Sequence, residues 1–154
     1  MESKVPTPDQ VLLEELRRQR ADLRDAISAL EKALAAPAPG RHDAWAERVQ
    51  VALVELSADF REHIDITESP GGLYRGLLMT APRLSNAVAR LTREHALIAT
   101  HVDDLLARVS GPEVKEVDSV RDLGMALLGR LVRHRQRGSD LVYEAYAVDV
   151  GGET

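Results

Sequence analysis

Proline and glycine punctuate this chain at intervals that leave little choice of fold. "PTPDQ" precedes the first periodic stretch, with Asp9 placed to cap it. "APAPGRHD" (36–43) ends that stretch, "ESPGG" (68–72) ends the second and "SGPE" (110–113) ends the third. The tail "VDVGGET" closes the fourth. Between the breaks lie segments of roughly 25 to 30 residues whose apolar residues recur at helical spacing. No segment alternates with a period of two. The pattern predicts an all-α protein, an antiparallel up-down-up-down four-helix bundle formed as one domain over residues 1–154. The link through 69–82 is the longest and is expected to carry a short turn of its own.

Composition agrees. Hydrophobic residues make up 44% of the chain but aromatics only 3%, so Leu, Ala and Val do the packing, a mix that favours helices. Cysteine is absent, which excludes disulfides, zinc ribbons and thiolate catalysis. Net charge is −5, and the one dense basic cluster, Arg130, Arg133, Arg135 and Arg137, shares its helix with Asp140 and Glu144. It reads as a solvated face, so no nucleic-acid partner is expected. The polar start "MESKVPTPDQ" has no signal-peptide core, and no uncharged apolar run approaches the ~20 residues that span a membrane. A soluble cytoplasmic protein is the expectation.

Each helix carries an interruption in its apolar seam. The first runs Leu12, Leu16, Arg20, Leu23, Ile27, Leu30 and Leu34; the second Val49, Ala52, Leu56, Phe60, His63 and Thr67. In the third, His95 interrupts Leu84, Val88, Leu91, Ile98, Val102, Leu105 and Val109. The fourth reads Leu123, Leu127, Leu131, His134, Gly138, Leu141 and Ala145. Steps of three and four keep each series on one buried face. The chain also reads as a repeated hairpin. "LRRQRADLRDAISAL" (16–30) aligns without gaps to "LTREHALIATHVDDL" (91–105), matching Arg20 to His95. "LSADFREHIDIT" (56–67) aligns to the segment from Leu127 to Gly138, matching His63 to His134. Imidazoles that converge in a bundle core must satisfy one another or share a cation.

In these residues, and in "LTREH" and "LVRH", the sequence resembles the hemerythrin-like, or HHE cation-binding, family from about residue 10 to residue 146. That resemblance implies a four-helix bundle with a non-haem di-iron centre, used to bind, store or sense oxygen or to handle iron. The family pattern is a histidine on the first helix, H-x-x-x-E on the second, a histidine on the third and H-x-x-x-E on the fourth. Here Arg20 stands at the first histidine position, and Thr67 and Gly138 stand where the family has bridging glutamates; His63, His95 and His134 match. Without anionic bridges two dications repel strongly, so a di-iron oxygen carrier is not expected.

Two alternatives remain open. A single transition-metal ion, iron or zinc, binds His63, His95 and His134, with Glu68 as fourth ligand if the helix unwinds at "ESPGG". Or no metal binds, and Arg20, as a fixed cation, joins the histidines and one of Glu68, Glu94, Asp140 or Glu144 in a buried polar network, leaving a structural or partner-binding bundle. In both, Thr67 and Gly138 leave room for a small ligand in the core. His42 and His101 are expected at the surface, and Tyr143 and Tyr146 at the bundle end. No catalytic constellation can be read, so a binding or sensing role, not an enzyme, is the expectation.

Overall fold

In a computed structural model, the backbone is described for residues 8–111 and 116–151, and side chains for 10–111 and 116–145. Four long helices, α1 (Pro8–Ala35), α2 (His42–Glu68), α4 (Ser85–Ser110) and α5 (Val117–Gly151), build the bundle. A short helix α3 (Leu73–Thr80) and a 3₁₀ turn (Pro82–Leu84) join α2 to α4. The expected turn in the long link is therefore a helix of eight residues. Helix α1 packs on α2, α2 on α4, α4 on α5, and α5 returns to α1, which closes the ring. No described helix is long and apolar enough to cross a membrane.

The breaks behave as their chemistry requires. Ser69, preceding Pro70, is extended (φ −64°, ψ 160°), so α2 stops at Glu68. The chain then turns back so closely that a Cβ at Gly72 would lie 2.5 Å from the Ile66 carbonyl oxygen; only glycine fits. Arg121 closes the other end of α1, its guanidinium donating to the carbonyls of Leu34 (2.9 Å) and Ala36 (2.8 Å). Asp9, expected to precede α1, falls within it, and its side chain lies outside the described residues. Tyr143 does not close the bundle end: it is 75% exposed, and the side chain of Tyr146 lies outside the described residues.

Two apolar clusters fill the interior. The larger joins the C-terminal part of α1 to α2, α4 and α5 around Leu30, Leu53, Leu56, Leu105 and Leu127. The smaller gathers Leu16, Leu73, Leu77, Leu91 and Leu141 where α3 covers the other end. Between them, at one level, lies a polar layer: Gln19 falls between Leu16 and Leu23, His95 between Leu91 and Ile98, and His134 between Leu131 and Leu141.

Two glycines of α5 have opposite consequences. A Cβ at Gly124 would come within 2.5 Å of Leu34 Cδ1, so this glycine lets α5 approach α1. A Cβ at Gly138 would meet nothing within 4 Å. Gly138→Ala should stabilise the protein by roughly 0.5–1 kcal/mol through helix propensity, about 1–4 °C in Tm. Gly124→Ala should instead cost about 1–3 kcal/mol by overpacking a buried leucine. Thermal unfolding of both variants checks the pair, and equal shifts would contradict this packing.

Candidate metal centre

Three imidazoles meet in the polar layer. The ring of His63 lies 5.0 Å from that of His95 and 5.5 Å from that of His134, and the latter two are 4.7 Å apart, centroid to centroid. One ring nitrogen from each falls within 4.8 Å of the others. His95 and His134 are buried and His63 is half-buried. Helix α2 delivers His63 about two turns before its Pro-Gly-Gly stop, while α4 and α5 deliver the others from mid-helix.

Each ring is fixed from outside. The Nδ1–H of His63 donates to Gln19 Oε1 (3.2 Å), and the Gln19 amide is oriented because its own Nε2 donates to the Asp59 carbonyl (2.8 Å). His95 Nδ1–H donates to Glu68 Oε2 (2.5 Å), and His134 Nδ1–H donates to Glu94 Oε1 (2.9 Å). Glu94 is held in turn by the Arg137 guanidinium. These acceptors put the proton on Nδ1 of all three rings and leave the Nε2 lone pairs for the interior. There, Nε2 of His63 and His134 face each other at 3.4 Å, and the Tyr74 hydroxyl lies 3.4 Å from Nε2 of His95.

An aromatic wall encloses the cluster. Phe60 stacks on His63 (5.6 Å) and meets His95 and His134 edge-on (5.6 and 6.1 Å), and Tyr74 from α3 stacks on His95 at an interplanar angle of 12°. Burial among these rings, reinforced by the other imidazoles, holds His63 and His95 down to about pKa 3, and burial lowers His134 as well. All three are neutral at pH 7, the state in which imidazole ligates metals. Burial also pushes the Tyr74 phenol and the Glu68 carboxyl upwards.

The other expected residues are placed differently. Arg20 does not fill the core: it is exposed, and the buried residue of that turn is Gln19, at 1% exposure. Arginine's long stem lets the charge escape to water, whereas the glutamine amide finds partners inside. Glu68 does not swing inward by unwinding α2; it stays helical and reaches across to the outer nitrogen of His95. Thr67 is buried with its hydroxyl donating to the His63 carbonyl (2.8 Å), and Gly138 borders open space. Among the acids considered, Glu68 and Glu94 join the layer, while Asp140 accepts from Gln136 on the exposed face of α5 and Glu144 is exposed. His42 is exposed, as expected. His101 is not a surface residue: it is half-buried, its Nε2 closed off from solvent and without a partner among the described residues, and burial lowers its pKa.

The hairpin repeat now acquires chemical content. The correspondence that matches Arg20 to His95 also matches Gln19 to Glu94, and the other matches His63 to His134, so the same acceptor–imidazole contact occurs in both halves. Glu68 on His95 has no such counterpart, because Ser139 and Arg20 stand in those places. Gln19, Phe60 and Tyr74 were not singled out by the sequence pattern as site residues. Only the seam position of Gln19, three residues after Leu16, hinted at its burial.

The chain matches the family model described as Hemerythrin HHE cation binding domain over residues 11–146. No curated protein and no solved structure matches it.

Proposed function

Since this chain belongs to the hemerythrin HHE cation-binding family, we propose that it is a binding or sensing module, not a catalyst, which holds one divalent transition-metal ion, iron or zinc, on His63, His95 and His134. One observation carries this reading: each histidine gives its outer nitrogen to an acceptor, and one ring nitrogen from each lies within 4.8 Å of the others. Ligating histidines are oriented in this way. With Nδ1 protonated, the lone pairs of His63 and His134 oppose each other at 3.4 Å, an arrangement that calls for a cation between them. At that separation both nitrogens would be placed to hold one ion. His95 would be the third ligand, and its Nε2 lies 3.4 Å from the Tyr74 hydroxyl.

The residues present do not suit a pair of irons. Thr67 and Gly138 offer no carboxylate to bridge two dications, and Glu68 and Glu94 are committed to the outer nitrogens. A single ion held on the three histidines would supply a Lewis-acidic centre. The chain's own contribution is to fix the tautomers through Gln19, Glu68 and Glu94 and to limit water through Phe60 and Tyr74.

A second reading is favoured by the Tyr74 hydroxyl, which already lies at hydrogen-bonding distance from the inner nitrogen of His95. In that reading the bundle is metal-free and the layer is a closed polar network. Its cation is not Arg20, which is exposed, and its acceptors are Gln19, Glu68 and Glu94. Titration calorimetry of the metal-depleted chain with zinc and with cobalt separates the two. One ion per chain, with affinity at least tenfold weaker in His134→Ala, is the expected result. Absence of binding favours the closed network; in a separate loading with ferrous iron followed by oxygen, two irons with an oxo-bridged absorption band would overturn both.

A further inference from the structure

Beside the histidine cluster, between α1 and α5, lies a cavity of about 170 Å³. That is roughly six water molecules' share of liquid volume, enough for a small organic molecule. Arg20, Arg24 and Arg135 line it from exposed positions, and no acidic side chain does. None of the three guanidiniums has a carboxylate partner among the described residues. In a chain of net charge −5, three uncompensated cations around one cavity are a local reversal of sign. Arg20 is close enough for its charge to contribute to keeping His63 unprotonated. The interior wall is different: Leu16, Leu23, Leu73 and Leu141 are all buried, beside the neutral rings of His63 and His134.

The repeat identifies what such a cavity lacks. Across one junction between the two hairpins a carboxylate, Glu68 of α2, meets His95 of α4. The corresponding places at the other junction are Ser139 of α5 and Arg20 of α1, and both line the cavity. A cation stands there without the acid that its counterpart has, and Gly138 alongside adds no side chain to fill the space.

We propose that this cavity binds a small organic carboxylate, with its charge held by Arg20 and Arg135 at the mouth and its hydrocarbon part among the four leucines. Guanidinium groups match carboxylates in a bidentate fork, and the leucine wall selects against ions that are charged all round. The site requires no metal, so its test is made on metal-depleted protein, where failure of the metal reading leaves it untouched.

Titration of the full chain with hexanoate, followed by calorimetry and by amide chemical shifts, is the experiment. Saturable binding is expected, with the largest shifts at Gly138 and Ser139. Arg20→Gln and Arg135→Gln, both at exposed positions that leave the core intact, should each weaken it at least fivefold. Hexanamide, equal in shape but uncharged, and inorganic phosphate, charged but without an apolar part, should each bind at least tenfold more weakly. The proposal is overturned by the absence of saturable binding, by equal affinities for hexanoate and either control, by arginine variants that bind like the parent, or by binding that appears only after zinc is added.

Discussion

Between pH 7 and pH 5 the metal-free protein should lose about 3–4 kcal/mol of unfolding free energy through His63 and His95 alone. Both rings are neutral in the fold, with pKa held at about 3, whereas in the unfolded chain each titrates near 6.5. The unfolded state therefore binds more protons throughout the interval between those values. Stability is fully present above pH 6.5 and falls as pH drops, with a slope approaching 1.4 kcal/mol per pH unit per histidine. His134, also depressed, adds to the same trend. Below about pH 5 the slope should moderate, because Glu68 and Asp59 have raised pKa values and bind protons more readily in the fold than out of it. The loss is large against the 5–15 kcal/mol by which most domains are stable. Urea unfolding at pH 7 and pH 5 measures it, and His95→Gln should reduce the difference by about half. Identical free energies at the two pH values would mean that the imidazoles are not held neutral.

A second large effect is expected from Gly138→Glu. The position lies one turn after His134, borders the cavity and has room for a side chain, since a Cβ there meets nothing within 4 Å. A carboxylate on that face supplies the anion that the cluster lacks. Zinc or cobalt should bind at least a hundredfold more tightly, about 2.7 kcal/mol. Thr67→Glu occupies the corresponding place in the other half but should behave in the opposite way. Thr67 is 2% exposed and its hydroxyl bonds the His63 carbonyl, so a longer charged chain there would be buried without partners and would destabilise the fold. Calorimetry on the first variant and thermal unfolding on the second decide the matter. Unchanged affinity in Gly138→Glu would place the metal, if any, away from this side of the rings.

The helices were legible because their breaks and seams are both local properties of the chain. Pro70 with Gly72 stops α2 whatever surrounds it, and Leu, Ala and Val at steps of three and four commit each long helix to one buried face. Convergence of His63, His95 and His134 was legible for the same reason, since each interrupts such a face. Arg20 was misplaced because a stripe from Leu16 to Leu23 passes equally well through 19 or 20. The two positions are ~100° apart, and what decides between them is which side chain finds partners inside. That depends on the Asp59 carbonyl and His63, 40 and 44 residues away in the chain, which no local pattern reveals. Tyr74 was missed because α3 has eight residues, too few for periodicity to stand out. His101 is half-buried because α4 has neighbours on two sides, so its shielded arc is wider than one seam.

The polar layer between the two apolar clusters also fixes how the helices are aligned along their length. Leucine seams alone tolerate sliding, since a shift by one heptad puts leucine against leucine again. Here each seam contains a single hydrogen-bonding member at the common level, Gln19, His63, His95 or His134. Sliding one helix by a heptad would set an amide or an imidazole against hydrocarbon and orphan its partner as well, at about 1–3 kcal/mol for each buried group left unpaired. The residues that gather a cation or a proton in the centre thus serve as the key that admits one register of the bundle and rejects its neighbours.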